Sequence, residues 1–231
     1  MGTDDAAARF DDGYWTKASV YRKYEDYATA LTELRGFNRG LVRRVVRYAP
    51  PGRRYLDAGC GHGAMVYEFL SRGWDSHGVD ASEWMIEQAR RHSPDLSDRF
   101  MAGDLMRVPF EGSFDLITCF QVLEHVEDPV AAIRALGSRL SRGGRLALTT
   151  PNLAGRMPFW PDPLTSDPTH ISVHETSWWE GAVWAAGLRV VHAATQMPVP
   201  LIWRVHPVLG RWIALGRRIG PDVLVIGERG S

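Results

Sequence analysis

Apolar and polar positions along the chain fall into short runs whose period switches repeatedly. The stretches "RRYLDA" (53–58), "WDSHGVD" (74–80), "DRFMAGD" (98–104), "FDLITCF" (114–120), "GGRLALTTPN" (143–152), "LRVVHAA" (188–194) and "DVLVIGER" (222–229) predict strands. Between them, "GAMVYEFLSRG" (63–73), "EWMIEQARRH" (83–92), "DPVAAIRALGSRL" (128–140) and "ETSWWEGAVWAAG" (175–187) have helical spacing. Gly73 suits the end of the first helix, Ser82 the N-cap of the second and Pro129 the first turn of the third. Upstream, "GYWTKASVYRKYEDYATALTEL" (13–34) predicts one or two short helices, and "NRGLVRRVVRYA" (38–49) another, stopped by Pro50 and Pro51. Strands alternating with helices imply right-handed crossovers. The expected fold class is therefore α/β: a doubly wound, mostly parallel seven-stranded sheet with helices on both faces. A single domain is expected over 1–231, divided into an N-terminal helical lid (1–36), a core (38–195), an insertion (197–221) and a last strand (222–229).

Length changes little in this picture, since 231 residues suffice for one well-buried core. Charge excludes more. Lys plus Arg and Asp plus Glu number 27 each, so no global positive field exists to attract nucleic acid. The acidic start "MGTDDAAARFDD" is unlike a secretory leader, and Ala6 does not fit the myristoylation pattern. No apolar run approaches the roughly 18 residues of a membrane span. Two cysteines, Cys60 and Cys119, read as small apolar filler rather than a disulfide framework or metal site. A reducing compartment follows, and a cytoplasmic location is expected.

Candidate chemistry begins at "YLDAGCGHGA" (55–64), where an apolar strand ends in an acid and enters a glycine loop. Gly59, Gly61 and Ala64 satisfy the dinucleotide fingerprint, but S-adenosylmethionine (SAM) also lies against such a turn. Three acids then outline the ligand, all at the carboxyl edge of the expected sheet: Asp57, Asp80 and Asp104. Asp80, about 20 residues past the loop, suits a ribose diol, because a carboxylate accepts two donors at once. Asp104 can accept from an adenine amine, with Met85 and Leu105 as apolar faces for the ring. Asp57 separates the two cofactors. It would oppose a pyrophosphate, whereas the ammonium and sulfonium of SAM favour an acidic surround. The cofactor's carboxylate needs a cation, and Arg39 is the candidate.

The motifs "LDAGCGHG", "GVDAS", "AGDL", "FDLITCFQVLEHVEDP" and "SRGGRLALTTPN" occur in an order and spacing that resemble the class I, seven-stranded SAM-dependent methyltransferases. Within that class the chain is most similar to the ubiquinone-biosynthesis O-methyltransferase branch, over roughly residues 38–195. The resemblance implies that Gly59 and Gly61 approach the methionine part, Asp80 holds the ribose, and Asp104 with Leu105 holds the adenine. It further implies that Phe120 and Gln121 contact the methionine end and that Arg39 lies near the cofactor carboxylate. One departure stands out. The branch carries an E-x-x-E-H metal cluster, but here the stretch is "QVLEH", with Gln121 in place of the first acid. Glu124, His125 and His170 remain, and one missing anionic ligand argues against a required metal.

Methyl transfer is an in-line displacement that needs alignment, a dry pocket and often a proton acceptor, for which histidine is suited. His125 and His170 are the catalytic candidates, with His174 a weaker third. His170 lies in a long, proline-rich loop after the fifth strand, of a length that often forms a lid. Tyr14, Trp15, Tyr21 and Tyr24 suit a lid over a sulfonium, while Trp178, Trp179 and Trp184 read as core. "PLIWRVHPVLGRWIALGRRIG" (200–220) could touch a membrane surface, but such an insertion more often covers the acceptor pocket or forms a dimer contact. The expected partner is a small-molecule acceptor, methylated first of all at oxygen, with nitrogen or carbon open. From another class, a non-catalytic SAM-binding module or an NAD-dependent oxidoreductase are the alternatives. Oligomeric state is not legible.

Overall fold

The sheet grows outwards from its middle in the order that the alternating pattern implies. In the computed structural model, which describes residues 26–155, 167–198, 212–216 and 220–230, the strands are β1 (Arg54–Ala58), β2 (Asp75–Asp80), β3 (Phe100–Ala102), β4 (Phe114–Phe120), β5 (Leu140–Pro151), β6 (Arg189–Pro198), β7 (Trp212–Ala214) and β8 (Asp222–Glu228). They pair in the order β3-β2-β1-β4-β5-β8-β6-β7. The first four pairings are parallel, and β8 runs antiparallel to both β5 and β6. The expected seven-stranded frame is there, and the three-residue β7 adds an eighth strand against the end of β6. Chain direction across the sheet reverses between β1 and β4, so their carboxyl ends flank the crevice where ligands bind in such folds.

The helices are α1 (Tyr27–Val46), α2 (Ala64–Leu70), α3 (Glu83–His92), α4 (Pro129–Ser138) and α5 (Thr176–Ala185). Side chains one apart along a strand face opposite ways, so each buried strand feeds two cores. On one face Leu56, Ile117, Leu146 and Val225 meet Ile133 of α4 and Trp179 of α5. On the other, Tyr55, Leu116, Ala147 and Leu224 meet Val42 of α1 and Phe69 of α2.

Two local readings need correction. The stretches 13–34 and 38–49 were expected as separate helices, yet one helix runs unbroken from Tyr27 to Val46. Its buried residues include Leu31, Gly36, Gly40, Leu41 and Val45, and their packing outweighs the roughly 1 kcal/mol that a helical glycine costs. The three tryptophans of α5 do not share a face either. Trp179 is fully buried beside Ala182 and Val183, three and four residues on, whereas Trp178 is 38% and Trp184 75% exposed. The lid aromatics Tyr14, Trp15, Tyr21 and Tyr24, the proline-rich stretch 156–166 and most of the arginine-containing insertion lie outside the described residues. Among the described residues no helix is long and apolar enough to cross a membrane. Cys60 and Cys119 are both buried and free.

Candidate active site

The glycine loop turns so sharply that three of its residues, Gly59, Gly61 and Gly63, have left-handed φ angles of 84°, 46° and 72°. Space matters as much as angle at the first of these. A Cβ on Gly59 would stand 2.2 Å from Cγ2 of Val122, which lies in the turn after β4. The loop is pinned by the Gly59 and Cys60 amides, which donate to the Val79 carbonyl at 2.8 and 3.0 Å.

The two strand-end acids are held differently. Asp80, at the end of β2, accepts from the Gly61 amide at 2.8 Å and from the Ser82 amide at 2.9 Å, so one carboxylate ties the glycine loop to the start of α3. Burial raises its pKa, and the two amides oppose that. Asp57 lies on the face of β1 that also carries Tyr55, and in register with Thr118 of β4. The Thr118 hydroxyl donates to Asp57 Oδ1 at 2.7 Å, and the Tyr55 hydroxyl in turn donates to Thr118. Asp57 is 3% exposed. Burial pushes its carboxyl up to about 7, with Thr118 opposing and the nearby Asp80 charge adding to the shift.

Further along the edge, Asp104 follows β3 and accepts from the Met106 amide at 2.8 Å, capping a 3-10 turn at Leu105–Arg107. Leu105 is half-buried against the core, and Met85 in α3 is fully buried. Phe120 ends β4. Gln121 after it has φ 55°, the only positive φ outside glycine among the described residues. A residue held there is strained by about 1 kcal/mol or more, and such strain collects at functional sites. Its amide donates to the Thr149 carbonyl at 2.8 Å, and its side chain reaches Asp222 at the start of β8. Arg39 lies on α1. Its Nε is 3.5 Å from Glu68 Oε1, a buried carboxylate on α2 that also engages Arg35 and Arg72.

The histidines do converge. His125 ends a 3-10 turn (Leu123–His125), and its ring lies 4.9 Å from that of His170, in the loop after β5. Thr169 orients His125, with Oγ1 2.9 Å from Nδ1. The loop is docked through the Ile171 and Ser172 amides, both donating to the Glu124 carbonyl at 2.9 Å. Glu124 is 1% exposed, and neither of its carboxylate oxygens has a hydrogen-bond partner among the described residues. Burial pushes its pKa well up. Ligand atoms of Glu124, His125 and His170 lie within 4.8 Å of one another, so a cation has three donors available. Gln121, where the resemblance places a further acid, points to Thr149 and Asp222 instead. His174 is stacked on Trp178 at 3.6 Å and hydrogen-bonded with Ser172, which fits a loop anchor.

Sequence reasoning missed several of these residues. Tyr27 donates to the His62 carbonyl at 2.7 Å and stacks on that ring, bringing the start of α1 over the glycine loop. Asp222 and Gln196 face each other in register at the carboxyl edge, Gln196 accepting from Arg44 at 3.1 Å. Burial pushes Asp222 up to about 7. Their one sequence signal was position, at the ends of the last two long strands.

The profile of a methyltransferase-domain family matches residues 30–193. The chain is 39% identical over 112 residues to the ubiquinone biosynthesis O-methyltransferase of Xanthomonas campestris pv. campestris (strain B100), covering 47% of each chain. It is 34% identical over 105 residues to the protein of the same name from Pseudomonas aeruginosa (strain UCBPP-PA14), covering 44% of this chain and 45% of that one. The chain thus spans about half the length of the curated relatives it matches. A solved structure from Thermotoga maritima, described as a SAM-dependent methyltransferase and possible histamine N-methyltransferase, shares the fold. Its TM-score is 0.67 at 18% identity, covering 90% of this chain and 96% of that one.

Proposed function

Because the chain belongs to the methyltransferase-domain family, we propose that it moves a methyl group from SAM to an oxygen of a small-molecule acceptor. One observation carries this reading. The glycine loop, with Asp57 and Asp80 at its strand ends, and the paired imidazoles just past β4 both follow the carboxyl ends of the adjacent strands β1 and β4. Asp80 uses only part of its accepting capacity on two amides, which leaves lone pairs for the ribose diol. Asp104 and Leu105 flank the adenine, with Met85 beneath. Gly59, Gly61, Phe120 and Gln121 surround the methionine end, beside Asp57. Arg39 can turn to the cofactor carboxylate without stranding Glu68, because Arg35 and Arg72 still pair with it. The names of the two curated relatives support oxygen as the acceptor atom.

Transfer itself calls for alignment of the acceptor with the sulfonium methyl, exclusion of water and removal of one proton. His125, held by Thr169, takes that proton, with His170 beside it as the alternative acceptor. If a divalent cation is recruited, Glu124, His125 and His170 hold it, and it would acidify an acceptor hydroxyl. With one anionic ligand in the set, turnover is expected to survive a chelator.

The test is transfer of labelled methyl from SAM to a panel of hydroxyl and amine acceptors. Replacing His125 or His170 with alanine should lower turnover by about 10²-fold or more and leave SAM affinity within about threefold. Near-normal turnover in both variants would sink the base assignment. Binding of SAM without transfer to any acceptor would favour a non-catalytic module. Loss of turnover with EDTA, restored by Mg²⁺, would overturn the metal-free reading.

A further inference from the structure

Asp57 and Asp80 lie at neighbouring strand ends and face the same ligand, yet the fold equips them unequally. Asp80 receives two backbone amides, the donors that stabilise a carboxylate anion. The donors that reach Asp57 are side-chain hydroxyls, Thr118 directly and Tyr55 behind it. Each hydroxyl carries a single proton, so the relay delivers little charge stabilisation to a group 3% exposed. The titratable groups facing Asp57 are themselves acids. Among the described residues they are Tyr55 on its own strand, Cys60 in the glycine loop, Asp80 on β2 and Cys119 on β4. A buried carboxyl in such company holds its proton to higher pH than usual, and a nearby cation favours its release.

SAM brings one. Its sulfonium is positive, and transfer of the methyl turns that sulfur into a neutral thioether. We propose that Asp57 exchanges its proton for the positive charge of the cofactor: it is protonated in the empty site, releases that proton to solvent when SAM binds, and so distinguishes donor from product by charge. The inference rests on the SAM reading above and adds to it a residue that sets donor-over-product preference. Asp57 acts as a positioning charge and takes no part in moving the acceptor's proton. Its raised pKa of about 7 agrees with the geometry and sets the window. Below that pH the proton must be removed before SAM binds well, and above it the carboxylate is already formed. SAM affinity should therefore rise as pH increases from 6 to 8 and then level off. A tenfold gain would correspond to a pKa drop of about one unit on binding. S-adenosylhomocysteine (SAH), lacking the sulfonium charge, should gain less.

The experiment is titration calorimetry of the whole chain with SAM and separately with SAH, at pH 6, 7 and 8. Each pH is run in two buffers of different ionisation enthalpy, so that protons released per cofactor bound can be counted. Release of about half a proton or more with SAM near pH 7, vanishing by about pH 8.5, is the expected result. In Asp57→Asn that release should disappear and the SAM-to-SAH preference should flatten with pH. Thr118→Val is the second variant, since it leaves the carboxyl in place without its hydroxyl donor and should move the release to higher pH. Proton release unchanged in Asp57→Asn would overturn the proposal, as would buffer-independent SAM binding by the wild type. Failure of either cofactor to bind would instead strike the SAM reading.

Discussion

Gly59 answers to two constraints that no side chain can meet together. Its φ of 84° lies where only glycine is unstrained, and a Cβ there would stand 2.2 Å from Val122. Relief would have to come from the turn after β4, which carries Gln121 and leads to His125. Gly59→Ala is therefore expected to cost about 2 kcal/mol of stability from strain and crowding together. It should also weaken SAM binding by tenfold or more, read from denaturant unfolding and calorimetry side by side. An alanine variant with unchanged affinity would show that the loop and the turn move independently. At this scale the sequence was legible where one motif held all the parts. The glycines and Asp80 sit in two short runs, and their contact spans 19 positions. The Thr118 hydroxyl on Asp57 was not legible, because it depends on the register of β1 with β4, 61 residues on. Asp57 was therefore read as a plain charge, although its burial raises its pKa against the pull of its hydroxyl partners.

The elements show a similar division. β4 was expected at 114–120 and α3 at 83–92, and both are found there, because strong turn and capping residues bound them. The course of α1 was not legible, since its buried residues make sense only against α2. Glu68 is the clasp between these two helices: a side chain 3% exposed that meets Arg35, Arg39 and Arg72, each about one-third exposed. Burial acts to raise the Glu68 pKa, but hydrogen bonds from Arg72 and Arg35 overcome it and hold the carboxyl below its ordinary value. A folded-state pKa below the unfolded one stabilises the protein above the unfolded pKa, and that contribution is lost as pH falls through the folded value. Solvent at the arginines screens part of the interaction, so Glu68→Gln should cost about 1–2 kcal/mol at pH 7. The gap in Tm between variant and wild type should begin to shrink as pH falls below the ordinary Glu pKa and close once pH is below the depressed folded value. A gap that does not shrink as pH is lowered would mean that shape, not charge, holds α1 to α2.

Across the whole molecule, the doubly wound order matters because it gathers groups from distant parts of the chain onto one edge. Asp57, Asp80, Asp104, Gln121, His125 and Asp222 all follow or begin strands at that edge, and burial raises the pKa of at least Asp57, Asp80 and Asp222. Such an edge suits a ligand with cationic groups and penalises one that brings a doubly negative pyrophosphate. The two cofactors that the glycine loop alone leaves open should therefore act differently on stability. A ligand that binds only the folded state, at one hundred times its Kd, adds about 2.7 kcal/mol. For a domain of this size each kcal/mol moves Tm by roughly 2–4 °C, so SAH at that concentration should raise Tm by about 5–10 °C. NAD at equal concentration should leave Tm where it is. A rise with NAD and none with SAH would mean that the acidic edge recognises something other than a methyl donor, and the chemistry assigned to His125 and His170 would lose its cofactor.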